Sequence, residues 1–248
     1  MRQSTPASRT ETPIAGAIDA LLFSSLWVAL AAAALSAASF HALGAKPAPS
    51  IVALALLGTF AVYAVDRLRD LDRDGSTAPA RSAFVARHRR LLKAISIASA
   101  FAAVFCAFRA GPRAIAIAAG VLVVGLLHRR LKRWSLLQPI YVVCAWLAVV
   151  VGLPVAATDG ATRTVWIAVV LAPALFANVA APHALGVARA LAVLGVALAA
   201  FAPEPVRPLG AIAVATGLAL LRFRATERYV LGVLDGALVA GALVSLVC

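Results

Sequence analysis

The sequence predicts an all-α fold, a polytopic membrane helical bundle of about nine transmembrane helices. Composition is the first of three observations behind this. Hydrophobic residues make up 63% of the 248-residue chain and the mean hydropathy is +0.96, against the roughly 45–50% apolar content of a soluble globular domain. Run length is the second. Apolar stretches repeatedly reach the roughly 18–20 residues with which a helix, rising about 1.5 Å per residue, crosses a hydrocarbon core of about 30 Å. The third is the absence of alternation. Stretches such as IAIAAGVLVVGLL and VWIAVVLAPALF are apolar on every face, whereas the strands of a membrane barrel alternate apolar and polar residues over short segments.

The elements follow in chain order. Residues 1–13 form a polar tail, expected in the cytoplasm, and residues 14–248 form a single transmembrane helical domain. Candidate spans lie near 14–43, 49–69, 91–109, 112–128, 137–157, 164–182, 184–202, 207–222 and 228–247. The first run is long enough to tilt or to continue as an interfacial segment, and it lacks a clear small-residue cleavage site, so a removable signal peptide is not expected. The seventh is interrupted by Arg189. Many of the 13 Pro and 16 Gly residues sit at the ends of these runs, where helices stop. No crisp repeat period is visible, and Cys106, Cys144 and Cys248 lack metal-ligand spacing and read as small packing residues.

A net charge of +13 would suggest nucleic acid as the partner of a soluble protein, but here the distribution of charge matters more than its sum. With nine spans, 18 of the 23 Lys/Arg fall on the side holding the amino terminus and the loops after the second, fourth, sixth and eighth spans. Only Lys46, Arg109, Arg113, Arg163 and Arg207 fall on the other. Positive charge is retained on the cytoplasmic side. The expectation is therefore an integral protein of a bacterial cytoplasmic membrane, amino terminus inside and carboxyl terminus outside, with no nucleic-acid partner.

The strongest local feature is YAVDRLRDLDRDG, residues 63–75, at the cytoplasmic end of the second span. Asp66, Asp70 and Asp74 recur every four residues, and on a continuous helix that spacing places three carboxylates on one face, with Asp72 pointing elsewhere. Like charges so arranged repel. They call for a cation, and hard oxygen ligands at the cytosolic mouth of a membrane cavity suit Mg²⁺ shared with substrate phosphates. The competing reading is a solvated helix end laced with Arg67, Arg69 and Arg73. Asp66 lies close to the apolar run, where an ionised carboxylate is expensive and usually functional. Asp19 and Asp235 are further carboxylates inside apolar runs; His128 and His183 read as interfacial, and Trp134, Trp166 and Tyr229 as an aromatic belt.

The row resembles the first aspartate-rich motif of the UbiA-type intramembrane prenyltransferases, N-D-x-x-D-x-x-x-D. Asp66 takes the place of the opening Asn, Arg67 that of the first Asp, and Asp70 and Asp74 match the later ones. The stretch from HRRLKRW into QPIYVVCAWLAVVVGLP, residues 128–154, resembles the family's passage from a cationic loop into its fifth span. The resemblance implies nine helices, a Mg²⁺ cofactor held by Asp66, Asp70 and Asp74 as catalytic and metal-binding residues, and two substrates, a polyprenyl diphosphate and a lipophilic acceptor. Arg69, Arg73, Arg130, Lys132 and Arg133, from the two basic loops, are candidates to bind the diphosphate where a second motif would, with Asn178 as a further polar candidate for substrate binding. The family's second aspartate-rich motif follows the sixth span. Here that place reads FANVAAPHALGVARA, residues 176–190, with no carboxylate and with Asn178, His183 and Arg189 as its polar residues. The expected function is a divergent membrane prenyltransferase; the alternative is a non-catalytic member of the fold that binds or transports an anionic isoprenoid lipid.

Overall fold

The structure, a computed structural model, describes residues 13–131, 137–158 and 161–248, leaving aside the side chains of residues 13, 15, 72–74, 129 and 161. Among the described residues every regular element is helical. Each of the nine apolar runs of the sequence coincides with an apolar helix or a bent pair of helices. Four of them are long and apolar enough to cross a membrane, Pro49–Arg69, Arg89–Ala110, Gln138–Ala156 and Thr162–Ala180, and the bent pair Gly16–Phe23 with Leu26–Ala42 makes a fifth if it is one span. Pro112–His128, Leu185–Phe201, Arg207–Leu221 and Tyr229–Ser245 are shorter apolar helices.

The punctuation has local causes. Helix α1 (Pro13–Phe23) and α2 (Leu26–Ala42) meet at 63°, and the break is carried by Ser25, fully buried and left-handed at φ 76°, a conformation non-glycine residues adopt rarely. Helix α3 (Pro49–Arg69) opens on a proline, whose missing N–H is harmless in a first turn. It stops at Asp70 (φ −93°, ψ 8°), after which α4 (Leu71–Thr77) and α5 (Pro79–Arg87) run as short helices into α6 (Arg89–Ala110). The aspartate row is thus interrupted at its middle member, so its three carboxylates do not ride on one unbroken helix. Gly111 at φ 99° lets the chain reverse directly into α7 (Pro112–Leu131).

Two of the remaining helices contain π turns. Helix α8 (Gln138–Leu147) passes through the π turn Ala148–Gly152 into α9 (Leu153–Ala156). After α10 (Ala161–Ala180), α11 (Leu185–Phe201) and α12 (Gly210–Leu221), the π turn Tyr229–Leu234 leads into α13 (Asp235–Ser245). Within the second π turn, Gly232 O accepts from the backbone N–H of Asp235 and from the indole N–H of Trp27 at 3.3 Å.

Helix α2 lies at the centre, with Leu35, Ala38 and Ala42 buried against Val150, Leu171, Ile212 and Leu238. Outward-facing positions are apolar as well: Phe101 and Phe105 on α6 are 73% and 67% exposed, a surface suited to lipid rather than water. Three arginines close helix ends across the bundle. Arg67 Nη1 donates to Leu22 O (3.2 Å) and Phe23 O (2.7 Å) at the end of α1. Arg163 Nη1 donates to Leu43 O at the end of α2, and Arg189 Nε and Nη2 to Leu220 O near the end of α12. Each places a cation on the negative end of a helix dipole and satisfies carbonyls that have no partner within their own helix. The Arg67 contacts, with the Arg228–Asp19 ion pair at 2.7 Å and the Arg81 backbone N–H donating to Glu227 Oε2 at 3.1 Å, gather segments 19–23, 67–84 and 227–228 at one end of the molecule.

Candidate functional site

Helices α3, α6, α7 and α8 do not close on one another. They enclose a cavity of about 370 Å³, within the range of small-molecule sites. Its walls are apolar over most of its length because α6 turns a row of alanines, Ala100, Ala103 and Ala107, toward α3. Short side chains there leave space where larger ones would interdigitate. Along α3 the cavity extends from Asp66 to Leu54, twelve residues, or about 18 Å at 1.5 Å per residue.

The polar groups of the cavity concentrate at the Asp66 end. Tyr63 lies one helical turn before Asp66, and its hydroxyl accepts a hydrogen bond from Trp146 Nε1 at 3.0 Å. Their rings meet edge to face, with centroids 6.5 Å apart. On the α7 side, Tyr141 Oη and His128 Nδ1 are 2.8 Å apart. Asp66 is within electrostatic range of both tyrosines. The arrangement is an apolar slot ending in one carboxylate and four polar aromatic side chains.

The residues singled out in the sequence are distributed unevenly around this slot. Asp66 lines it, half-buried. Asp70 is 4% exposed and sits at the α3–α4 junction, outside the cavity lining. Asp74 and Arg73 belong to α4, but their side chains lie outside the described atoms. Arg69 and Arg130 are exposed at the ends of α3 and α7, and Lys132 and Arg133 lie outside the described residues. Arg67, at the motif's first aspartate position, is buried and turned to the end of α1. Asn178 does not line the slot; its Nδ2 donates to Asp235 Oδ1 at 3.3 Å. That bond brings a carboxylate of α13 beside Asn178, and Asp235 lies within electrostatic range of Tyr63 and Arg67.

Sequence reasoning missed most of the polar end. His128 read as interfacial, whereas it faces the slot, and Tyr63, Tyr141 and Trp146 carried no motif of their own. The only signal was that three polar aromatics occupy otherwise apolar spans. Among the described residues no three of His, Cys, Asp and Glu gather to hold a metal ion. Among the described residues Asp66 is the one carboxylate that lines the slot. No family model, curated protein or solved structure matches the chain.

Proposed function

We propose that the protein is a divergent intramembrane prenyltransferase of the UbiA type, built on nine membrane-crossing helices, which takes a polyprenyl diphosphate into the slot and transfers its isoprenoid group to a lipophilic acceptor. The observation that carries this reading is that Asp66, the carboxylate of the aspartate row nearest the apolar run, stands at the polar end of an apolar cavity about 18 Å long. The chain of the donor occupies the apolar length and its diphosphate the mouth. Asp66 would hold Mg²⁺ there, and the chemistry the ion supplies when bound is neutralisation of the diphosphate as the allylic C–O bond breaks. Arg69 and Arg130, at the ends of the two helices flanking the mouth, supply further positive charge; Lys132 and Arg133 extend that basic rim in sequence. The alanine face of α6 keeps the slot open, and its apolar walls exclude water from the electrophilic carbon.

A second reading is favoured by one specific observation. Asp70 is buried away from the slot and Arg67 is committed to α1, so the described mouth presents a single carboxylate of the row. A member of the fold that binds an anionic isoprenoid lipid without turnover would have this character. The two readings separate on purified protein supplied with Mg²⁺, geranylgeranyl diphosphate and a panel of lipophilic phenols. The transferase releases diphosphate, and Asp66→Asn lowers that release at least tenfold. Binding of the donor with no release over hours would establish the second reading instead.

A further inference from the structure

We propose that Tyr63, oriented by Trp146, is the hydrogen-bond donor that grips the anionic head of the lipid in the slot, a site role resting on the isoprenoid-diphosphate reading above. The argument is one of donor accounting. An indole N–H can only donate, so in the 3.0 Å bond between Trp146 Nε1 and Tyr63 Oη the phenol oxygen is the acceptor. The phenol proton must then point elsewhere. Among the described residues no acceptor receives it, and Tyr63 lines the slot one turn from Asp66. A donor aimed into an apolar cavity is costly unless a ligand meets it, and an oxygen anion is the partner that gains most.

The placement also explains why Trp146 is held as it is. Tyr63 is on α3 and Trp146 is the penultimate residue of α8, just before the π turn Ala148–Gly152. The bond between them crosses the slot wall and fixes the phenol rotor before a ligand arrives, so less ordering remains to be done on binding. Trp146 is accordingly a positioning residue. It acts on the ligand through Tyr63.

The experiment uses the full chain in nanodiscs, with geranylgeranyl diphosphate as probe and geranylgeraniol as its uncharged counterpart. Tyr63→Phe should weaken diphosphate binding about tenfold to a hundredfold, the range for a hydrogen bond to a charged group, and alcohol binding by about fivefold or less. Trp146→Phe, which retains a ring and loses the N–H, should weaken diphosphate binding less than Tyr63→Phe. In the double variant the Trp146 change should add little to the loss from Tyr63→Phe, because it acts only through the phenol. Tyr63→Phe binding within twofold of the parent overturns the proposal, as does equal loss with both probes or failure of the parent to bind the diphosphate. If Tyr63→Phe does not fold, the Trp146→Phe variant decides: unchanged binding there refutes the oriented donor. A parent that binds the diphosphate and never releases it removes the transferase reading while leaving the Tyr63 assignment to be judged on affinity alone.

Discussion

The amino-terminal half around the slot and the carboxyl-terminal half from α10 to α13 are made of the same apolar residues and pack in opposite ways. Around the slot, Ala100, Ala103 and Ala107 line open space, and of the two lining glycines a Cβ built on Gly58 would meet nothing nearer than Leu54 Cδ1 at 3.9 Å, while one on Gly125 would come within 3.0 Å of the side chain of Val62. In the carboxyl-terminal half, small residues are consumed by close approach. A Cβ on Gly195 would come within 2.9 Å of Ala213 Cβ, one on Gly210 within 2.6 Å of Ala199 Cβ, and one on Gly241 would run into the backbone of Ile212. Small residues at helix interfaces let backbones meet and gain dispersion contacts where lipid offers no hydrophobic driving force. The same residue types therefore build either a tight joint or a cavity, depending on whether the facing helix is allowed to approach.

The largest expected effect is at the tightest joint. Gly241→Leu should destabilise the protein by about 3 kcal/mol or more, since the obstruction is Ile212 backbone and cannot rotate away; thermal unfolding in detergent measures it against Gly120→Leu, an exposed position on α7 with nothing within 4 Å of a built Cβ, which should stay close to the parent. Equal losses from the two would show that the Ile212 backbone is not the obstruction and would remove the tight joint from the comparison. Next comes Arg67→Leu. It removes the donor to Leu22 O and Phe23 O and the cation at the end of α1, and should cost about 2 kcal/mol of stability. The same method reads it, and a change below about 0.5 kcal/mol would show that Arg67 is not what holds the α1–α2 break against α3.

The third prediction tests the empty half directly. Ala103→Phe puts a ring into the slot and should lower geranylgeranyl diphosphate affinity about tenfold, while unfolding shifts by about 1 kcal/mol or less because the added volume enters existing space. A large stability loss with unchanged affinity would mean that the cavity is not where the lipid chain sits. The smallest effect is expected at Trp27→Phe, which removes the side-chain donor to Gly232 O, leaves the backbone N–H of Asp235 as its donor, and should cost about 1 kcal/mol or less. Hydrogen exchange at residues 229–236 would localise the loss. A change spread evenly over the molecule would argue against a local role.

The apolar helices were legible in the sequence nearly to their ends, but not the break at Ser25 inside the first run nor the short helices α4 and α5 after the second. Apolar runs broken by Pro49, Gly111–Pro112 and Pro139, and by charged stretches, coincide with the helix limits, because chain stiffness, missing N–H groups and the cost of backbone polar groups in lipid act locally. The aspartate row was visible too, and one of its members, Asp66, does face the cavity. The expected single face was not realised, because the chain leaves the helix at Asp70 and starts another at Leu71. Arg67 looked like a charge reversal at a metal site; its burial shows a second demand on that position, the closing of α1.

What the sequence by itself determined is therefore helicity, the length and order of the apolar segments, and the location of the charged stretches between them. Tertiary structure alone decided which sides of those segments face each other. A soluble helix announces its buried face through amphipathic spacing, but a helix that is apolar all round gives no such signal, since lipid and protein interior ask for the same side chains. Tyr63, Trp146, His128 and Tyr141 became a group only when α3, α7 and α8 were set around one space. Asn178 met Asp235 only when the fold brought the end of α10 and the start of α13, 57 residues apart in sequence, within hydrogen-bond distance.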